Sequence, residues 1–170
     1  TDTLTLSAGN NFVVTTLNGI PFFTDVPNQS MYTHDVSATD SNAAENTAYG
    51  FTAMDAITSG DKNVAIGFQA GSAINTGSDN TILGAYAGDA ITTGTANVAI
   101  GRSALGAETT HGANIAIGFQ ALTVQVAGAN AYNVAIGHQA GLSVTSGVKN
   151  TLIGGNAGDS LTIGNNNTAL

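Results

Sequence analysis

The chain has 170 residues, 42% of them hydrophobic but only 8% charged, and a net charge of −8. Its three basic residues, Lys62, Arg102 and Lys149, cannot form the cation cluster that nucleic acid or an anionic membrane surface recruits, and with no Cys there is no disulfide framework or thiolate metal site. The regular supply of Val, Ile and Leu argues against a disordered polar chain.

Residues 1–45 do not repeat and read as a β-rich N-terminal cap or attachment segment. Thr3–Ser7 alternates in polarity and Asn11–Thr16 is rich in β-formers. Asn18-Gly19 is a hairpin-turn signal, followed by Ile20-Pro21-Phe22-Phe23. Both prolines, Pro21 and Pro27, lie here, with Phe12, Phe22, Phe23 and Tyr32, and five acids but no base occur by Glu45. A repetitive β-structure needs an end that blocks edge-to-edge pairing, so capping is the first expectation and docking onto a larger assembly the sharper one. Residues 36–45 read as the linker into the first repeat. The chain opens on Thr1 with no basic and apolar leader, which suggests a trimmed or processed product. No apolar run approaches the roughly 20 residues of a membrane helix, so no membrane insertion is expected.

From Asn46 to Leu170 the chain repeats. The leading asparagines are Asn46, Asn63, Asn80, Asn97, Asn114, Asn133, Asn150 and Asn167, each 17 residues after the last except for one step of 19 at Asn133. That makes seven complete copies and a partial eighth. With Asn as position one, position five is Gly: Gly50, Gly67, Gly84, Gly101, Gly118, Gly137 and Gly154. Position eight is Ala: Ala53, Ala70, Ala87, Ala104, Ala121, Ala140 and Ala157. Position two is Thr, Val or Ile, and position four is Ile or Leu, with Tyr49 in the first copy. Position twelve is usually aliphatic and position thirteen mostly Thr. The unit reads Asn-(Thr/Val)-Ala-Ile-Gly-x-x-Ala-x-x-x-Ile-Thr-x-Gly-x-x.

Alternation over positions two to five predicts a short strand, and the aliphatic-Thr pair at twelve and thirteen predicts a second. Gly at five and fifteen predicts unusual backbone angles or close chain approach. The fold class expected is therefore all-β: a β-solenoid or β-roll of 17-residue coils. Stacked at about 4.8 Å, seven coils would rise on the order of 34 Å. Asn at one register in every coil predicts an amide ladder. Counting the position-four Ile, the Ala and one further aliphatic as inward leaves a thin core. The remaining apolar faces, and columns of Ala and Gly that let backbones approach, predict an intertwined or side-by-side homotrimer. The slip in the fifth copy falls in Val124–Tyr132 and predicts a surface bulge.

Reactive constellations are sparse. His34, His111 and His138 lack partners at metal-ligand spacing, and no nucleophile elbow, phosphate loop or dinucleotide fingerprint occurs. Asp55, Asp89 and Asp159 at position ten, with Asp61 and Asp79, read as solvated turn residues rather than paired catalytic carboxylates or a calcium loop. The expectation is no enzyme activity, no cofactor and no metal. Any recognition would be written in the variable positions six, seven and ten.

The recurring Asn-Thr-Ala-Ile-Gly-x-x-Ala unit, with Thr-Gly before the next Asn, resembles the repeats of phage tail-fibre-type proteins. These often precede a self-cleaving C-terminal chaperone domain that drives trimerisation. The unit is also similar to the head repeats of trimeric autotransporter adhesins, whose units are usually shorter. The resemblance covers Asn46 to Leu170 and implies a homotrimeric structural fibre or spike segment of a virion or extracellular surface. Such a segment acts as a rigid spacer and host-surface recognition element. Its expected partners are other virion or cell-surface proteins through the N-terminal segment and a host surface glycan or protein. It also implies that a chaperone has been cleaved away or lies in further sequence. The head of a bacterial trimeric adhesin is the alternative. A hexapeptide acyltransferase fits less well, because only one of three hexapeptides per coil, such as Ile66–Gly71, matches. An ice-binding solenoid is opposed by Asn75, Val126 and the slip, which interrupt the Thr rank.

Overall fold

The structure, a computed structural model, describes residues 42–170 throughout, together with four short strands in the N-terminal segment. Those strands are β1 (Thr16–Leu17), β2 (Ile20–Pro21), β3 (Phe23–Asp25) and β4 (Ser30–Tyr32). The repeats add β5 (Thr47–Tyr49), β6 (Val64–Ile66), β7 (Thr81–Leu83), β8 (Val98–Ile100), β9 (Ile115–Ile117), β10 (Val134–Ile136), β11 (Thr151–Ile153) and β12 (Thr168–Ala169). The expected strands at 3–7 and 11–15, the turn at 18–19, the linker residues 36–41 and His34 lie outside the described residues.

The fold is all-β, a β-solenoid in which strands β4 to β12 form one parallel sheet, each strand beside its predecessor. Strand β3 closes the N-terminal edge by pairing antiparallel with β4, Phe23 opposite Tyr32. Strands β1 and β2 pair antiparallel, with Thr16 opposite Pro21 and Leu17 opposite Ile20. The segment at 42–45 is no linker. Lys62 N–H donates to Ala44 O at 2.9 Å, as Asp79 N–H does to Asp61 O one coil later, so these residues have the form of a coil's closing turn.

Each coil carries one three-residue strand, not the two expected. The chain around positions twelve to fifteen is bonded to its neighbours, but not as a ladder. The N–H groups of Thr58, Ser59 and Gly60 converge on the single carbonyl of Asn75, at 3.0, 3.2 and 3.3 Å. Asn75, Thr76 and Gly77 converge likewise on Thr92 O. Three successive donors aimed at one acceptor make a bend, so no strand forms.

Left-handed backbone supplies the other corners. Gly at position five has φ between 122° and 143°, and a Cβ on Gly84 would lie 2.8 Å from the Gly101 carbonyl carbon. Positions seven and seventeen are left-handed without glycine, as at Gln69 (φ 55°), Tyr86 (φ 58°), Lys62 (φ 60°) and Asp79 (φ 60°). That conformation costs a non-glycine residue on the order of 1 kcal/mol. It turns the N–H along the solenoid axis: Gln69 donates to Phe51 O and Tyr86 to Phe68 O, both at 3.0 Å. The strain is thus offset, coil by coil, by an inter-coil hydrogen bond. Position fifteen works differently. A Cβ on Gly77 would lie 2.4 Å from Gly94 O, so glycine is needed there for close approach alone.

The core is narrow. Its side chains come from positions three, eight, nine and twelve, for example Ala65, Ala70 and Ile74, with Ile82, Ala87 and Ile91 in the next coil. Position three is inward and position four outward, the reverse of the expected placement of the Ile column. Space at position three is limited: it holds Ala in five of the seven coils and a large side chain only in two, Ile82 and Leu152. Where position three is large, position nine is glycine. A Cβ on Gly88 would fall 2.9 Å from both Ile82 Cδ1 and Ile91 Cδ1. Where position nine is large, as at Met54, Leu105 and Leu122, position three is Ala48, Ala99 or Ala116. Where both are small, as at Ala65 with Gly71 and Ala135 with Gly141, side chains of adjacent coils fill the space. A Cβ on Gly71 would lie 3.7 Å from Ile82 Cγ1, and one on Gly141 would lie 2.9 Å from both Leu122 Cδ2 and Leu152 Cδ1, so the core keeps its close packing across coils rather than within each.

Candidate interaction surface

The asparagines form a buried ladder. Asn63, Asn80, Asn97, Asn114, Asn133 and Asn150 are all buried. Each backbone N–H donates to the side-chain oxygen of the asparagine one coil back, at 2.9 Å for Asn63 to Asn46 and 3.0 Å for Asn80 to Asn63. The Asn80 Nδ2 group also donates to Gly94 O at 2.9 Å. The ladder continues across the two-residue slip, Asn133 N–H reaching Asn114 Oδ1 at 3.3 Å. The Gly67, Gly84, Gly101, Gly118 and Gly137 column stacks against itself, with Gly154 continuing it. Ala70, Ala87, Ala104, Ala121 and Ala140 are fully buried within their own coils, and Ala157 of the last full coil is partly so. The Ala and Gly columns are therefore used inside the protomer. They do not face a shared axis, which withdraws the first argument for a trimer.

The outer face of the parallel sheet supplies another. Position four points outward as Tyr49, Ile66, Leu83, Ile100, Ile117, Ile136 and Ile153, and position two as a mixture of Thr, Val and Ile. Neither column holds a charged residue in any coil. Tyr49 is 51% exposed and Leu83 44%. The result is an uninterrupted apolar stripe running along the solenoid.

Beside it, at the corner after each strand, positions six and seven carry rings. Phe51 and Phe68 lie 6.2 Å apart with nearly parallel planes, and Tyr86 meets Phe68 edge-on at 5.3 Å. Arg102 sits over the Phe119 ring, 5.8 Å from its centroid, and His138 stacks on Phe119 at 5.2 Å. Positions six and seven are visibly variable in the sequence. Their continuity in space is not legible there, because successive members lie 16 to 19 residues apart and one of them, Tyr86, stands at position seven while the rest are at position six.

The slip sits in one coil. Backbone pairing is in register through Val126, whose N–H donates to Thr145 O at 2.8 Å, and resumes at Ala131, whose carbonyl accepts from Lys149 N–H at 2.7 Å. The bulge is thus Ala127–Asn130. Two buried polar residues accompany it, Glu108 and Gln125, both at position twelve where other coils hold an aliphatic. In a regular coil, the N–H groups of positions thirteen to fifteen point at a carbonyl of the next coil. Here those of Thr109, Thr110 and His111 point at Glu108 Oε1 instead, at 3.0, 3.3 and 3.0 Å. Oε2 accepts from Gln125 Nε2 at 3.2 Å and Ala127 N–H at 3.4 Å. The carboxylate stands in for the acceptor that the bulge displaced. Gln125 Oε1 is left buried without a partner, facing a coil whose position twelve is Val144. Sequence reasoning passes over both residues, although their break in the aliphatic column beside the slip is visible.

The remaining candidates separate. His111 Nδ1 lies 3.4 Å from Glu108 Oε1, while His138 belongs to the ring column. Asp89 has its carboxyl pKa raised by partial burial, against a lowering backbone hydrogen bond. Among the described residues no group of three His, Cys, Asp or Glu is placed to hold a metal ion, and no helix is long and apolar enough to cross a membrane. Neither a protein-family model, nor a curated protein, nor a solved structure matches the chain.

Proposed function

We propose that the chain is a structural segment of a homotrimeric fibre or spike on a virus particle, a rigid spacer that also presents a surface for host recognition. The observation that carries this reading is the charge-free apolar stripe on the outer face of the solenoid sheet. Monomeric proteins rarely leave a large contiguous apolar patch in water, and such patches mark association sites. The stripe keeps an aliphatic at position four in coils two to seven and an uncharged side chain at position two in every coil, so its natural complement is an equally periodic surface: further copies of the same solenoid, side by side. The buried asparagine ladder and the axial hydrogen bonds support the rigidity a spacer needs. The likeness of the repeat unit to tail-fibre repeats supports the virion setting. Attachment through the N-terminal segment and exposure outside the cell belong to the same proposal.

The test is a charge placed on the stripe. Leu83→Lys and Ile136→Lys alter outward side chains, so the β circular-dichroism signal should persist while the assembly falls to single chains. Retention of the wild-type mass by the double variant would rule out the stripe as the contact.

A further inference from the structure

Position ten is the corner where aspartates recur, and it holds one residue that the repeat does not explain. The column reads Asp55, Ser72, Asp89, Gly106, Thr123, Leu142 and Asp159. Gly106 has no positive φ that would call for glycine. Nor is it needed for close approach: beyond its chain neighbours, a Cβ there would meet nothing nearer than 3.5 Å. The missing side chain leaves a notch in the corner of the fourth coil.

The notch is lined by oxygen. The three atoms nearest to that Cβ position are Ser103 O at 3.5 Å, Asp89 Oδ1 at 3.6 Å and Thr123 O at 3.7 Å. They belong to the third, fourth and fifth coils, and all three are acceptors. At the same corner of other coils, Ala56 N–H donates to Ser72 O and Ser143 N–H to Asp159 O, both at 3.2 Å. Thr123 O receives no such bond from the described residues. Ser103 O takes one hydrogen bond, from Thr123 Oγ1 at 2.7 Å, and keeps a second lone pair. The Asp89 carboxyl feels burial, which raises its pKa, and a lowering hydrogen bond from its own backbone; neither influence is a cation's.

From this geometry we propose that the notch at Gly106 binds a calcium ion, held by the Asp89 carboxylate and the carbonyls of Ser103 and Thr123. Calcium takes carboxylate and carbonyl oxygens at about 2.3–2.6 Å in flexible arrangements, so the ion sits off the Cβ position, toward the oxygens. Magnesium demands a near-regular octahedron and gives up water reluctantly, which oxygens fixed by three different coils do not favour. Water completes the shell around three protein ligands, and the affinity then falls in the range of extracellular modules, roughly 10⁻⁴–10⁻³ M. The ion links the third, fourth and fifth coils along the solenoid axis, at a corner where an axial hydrogen bond is missing. Sequence reasoning expects no metal because it finds no local run of ligands. Here the ligands lie 14 and 20 residues apart, and two are backbone carbonyls, which no residue type marks. The site is complete within one protomer and independent of the trimer.

The experiment titrates the chelator-treated, isotope-labelled full chain with CaCl2 and, separately, with MgCl2, reading amide NMR shifts at constant ionic strength. The site predicts saturable shifts centred on residues 89–90, 103–107 and 123–124, half-complete at about 10⁻⁴–10⁻³ M calcium, with magnesium weaker by about tenfold or more. Gly106→Ala puts a methyl group into the notch at ordinary contact distance, so its circular dichroism should match the wild type. Its calcium shifts should not saturate below about 10 mM, ten times the weakest value expected. Asp89→Asn keeps the side-chain shape, removes the charge and should lose saturation in the same way, which decides the question if the alanine variant fails to fold. Asp55→Asn, in the same column of the first coil, should bind calcium as the wild type does. A wild-type protein that does not saturate below about 10 mM overturns the site, as does wild-type affinity in folded Gly106→Ala or Asp89→Asn. Shifts centred on Asp61 and Asp79 instead would reflect general attraction of cations to a chain of net charge −8, and would overturn it too. Equal affinity for magnesium overturns the calcium assignment.

Discussion

Gly84 and Gly128 are both glycines on turns, yet they answer to different constraints. Gly84 has φ +133° and a carbonyl carbon 2.8 Å from where its Cβ would be; Gly128 has nothing within 4 Å. Gly84→Ala should therefore cost several kcal/mol, through roughly 1–3 kcal/mol of backbone strain and a clash with a neighbouring coil that cannot shift alone. Gly128→Ala should be neutral or stabilising by about 0.4–1 kcal/mol, by restricting the unfolded chain. Urea unfolding midpoints of the two variants check this, and equal midpoints would refute the stacked-glycine account. Glu108 is a second case. Glu108→Leu removes the acceptor for four backbone N–H groups and one side-chain amide, each buried orphan costing about 1–3 kcal/mol. The variant should lose amide-exchange protection at residues 109–111 and 127 before anywhere else. Gln125→Met should cost far less, since it deletes an unpartnered oxygen along with one donor.

At the scale of the coil, the sequence showed the period, the parallel stacking of Asn-x-x-x-Gly strands, and the need for glycine at position five. It did not show which side of the strand faces in. Alternation has two phases, and choosing the column of larger side chains as the inward one fails here: the inward column is position three, which is Ala in five coils and large only at Ile82 and Leu152, where position nine is glycine. Ile66 and Ile117 are out, and Ala65 and Ala116 are in. Nor did it show the left-handed corners at Gln69, Lys62 and Asp79. The cause there is an axial hydrogen bond to another coil, which no local propensity encodes. The second strand expected at Ile74 and Asn75 is absent for a related reason: three N–H groups share one carbonyl across the coils. The complementary volumes at positions three, nine and twelve lead to a prediction. Ile82→Ala should leave a cavity between Gly71 and Gly88, costing about 2–5 kcal/mol. Ala99→Ile, opposite Leu105, should overpack and cost about 1–3 kcal/mol. Combining Ala99→Ile with Leu105→Gly should recover much of the second loss if volume is what matters, and calorimetric melting of the three variants decides it.

Over the described residues, the solenoid uses its Ala and Gly columns within the protomer and turns the aliphatics of position four toward water. A fully buried aliphatic side chain is worth about 1.5–3 kcal/mol. The position-four side chains are already about half covered, so each has on the order of 1 kcal/mol still to gain. Seven of them together only approach the roughly 4–15 kcal/mol that association costs in lost freedom. Column two must therefore be covered as well, and the contact must run the length of the stripe. What was legible of this surface was its composition. The ring column and the bulge with its buried Glu108 became visible only when residues 16 to 19 apart were brought side by side. The central claim, that the sheet's outer face is where copies of the chain meet, is tested most directly by the molar mass of the intact protein in dilute solution. Multi-angle light scattering should give about three times the 16.9 kDa of the single chain, and a monodisperse peak at the mass of one chain would contradict it.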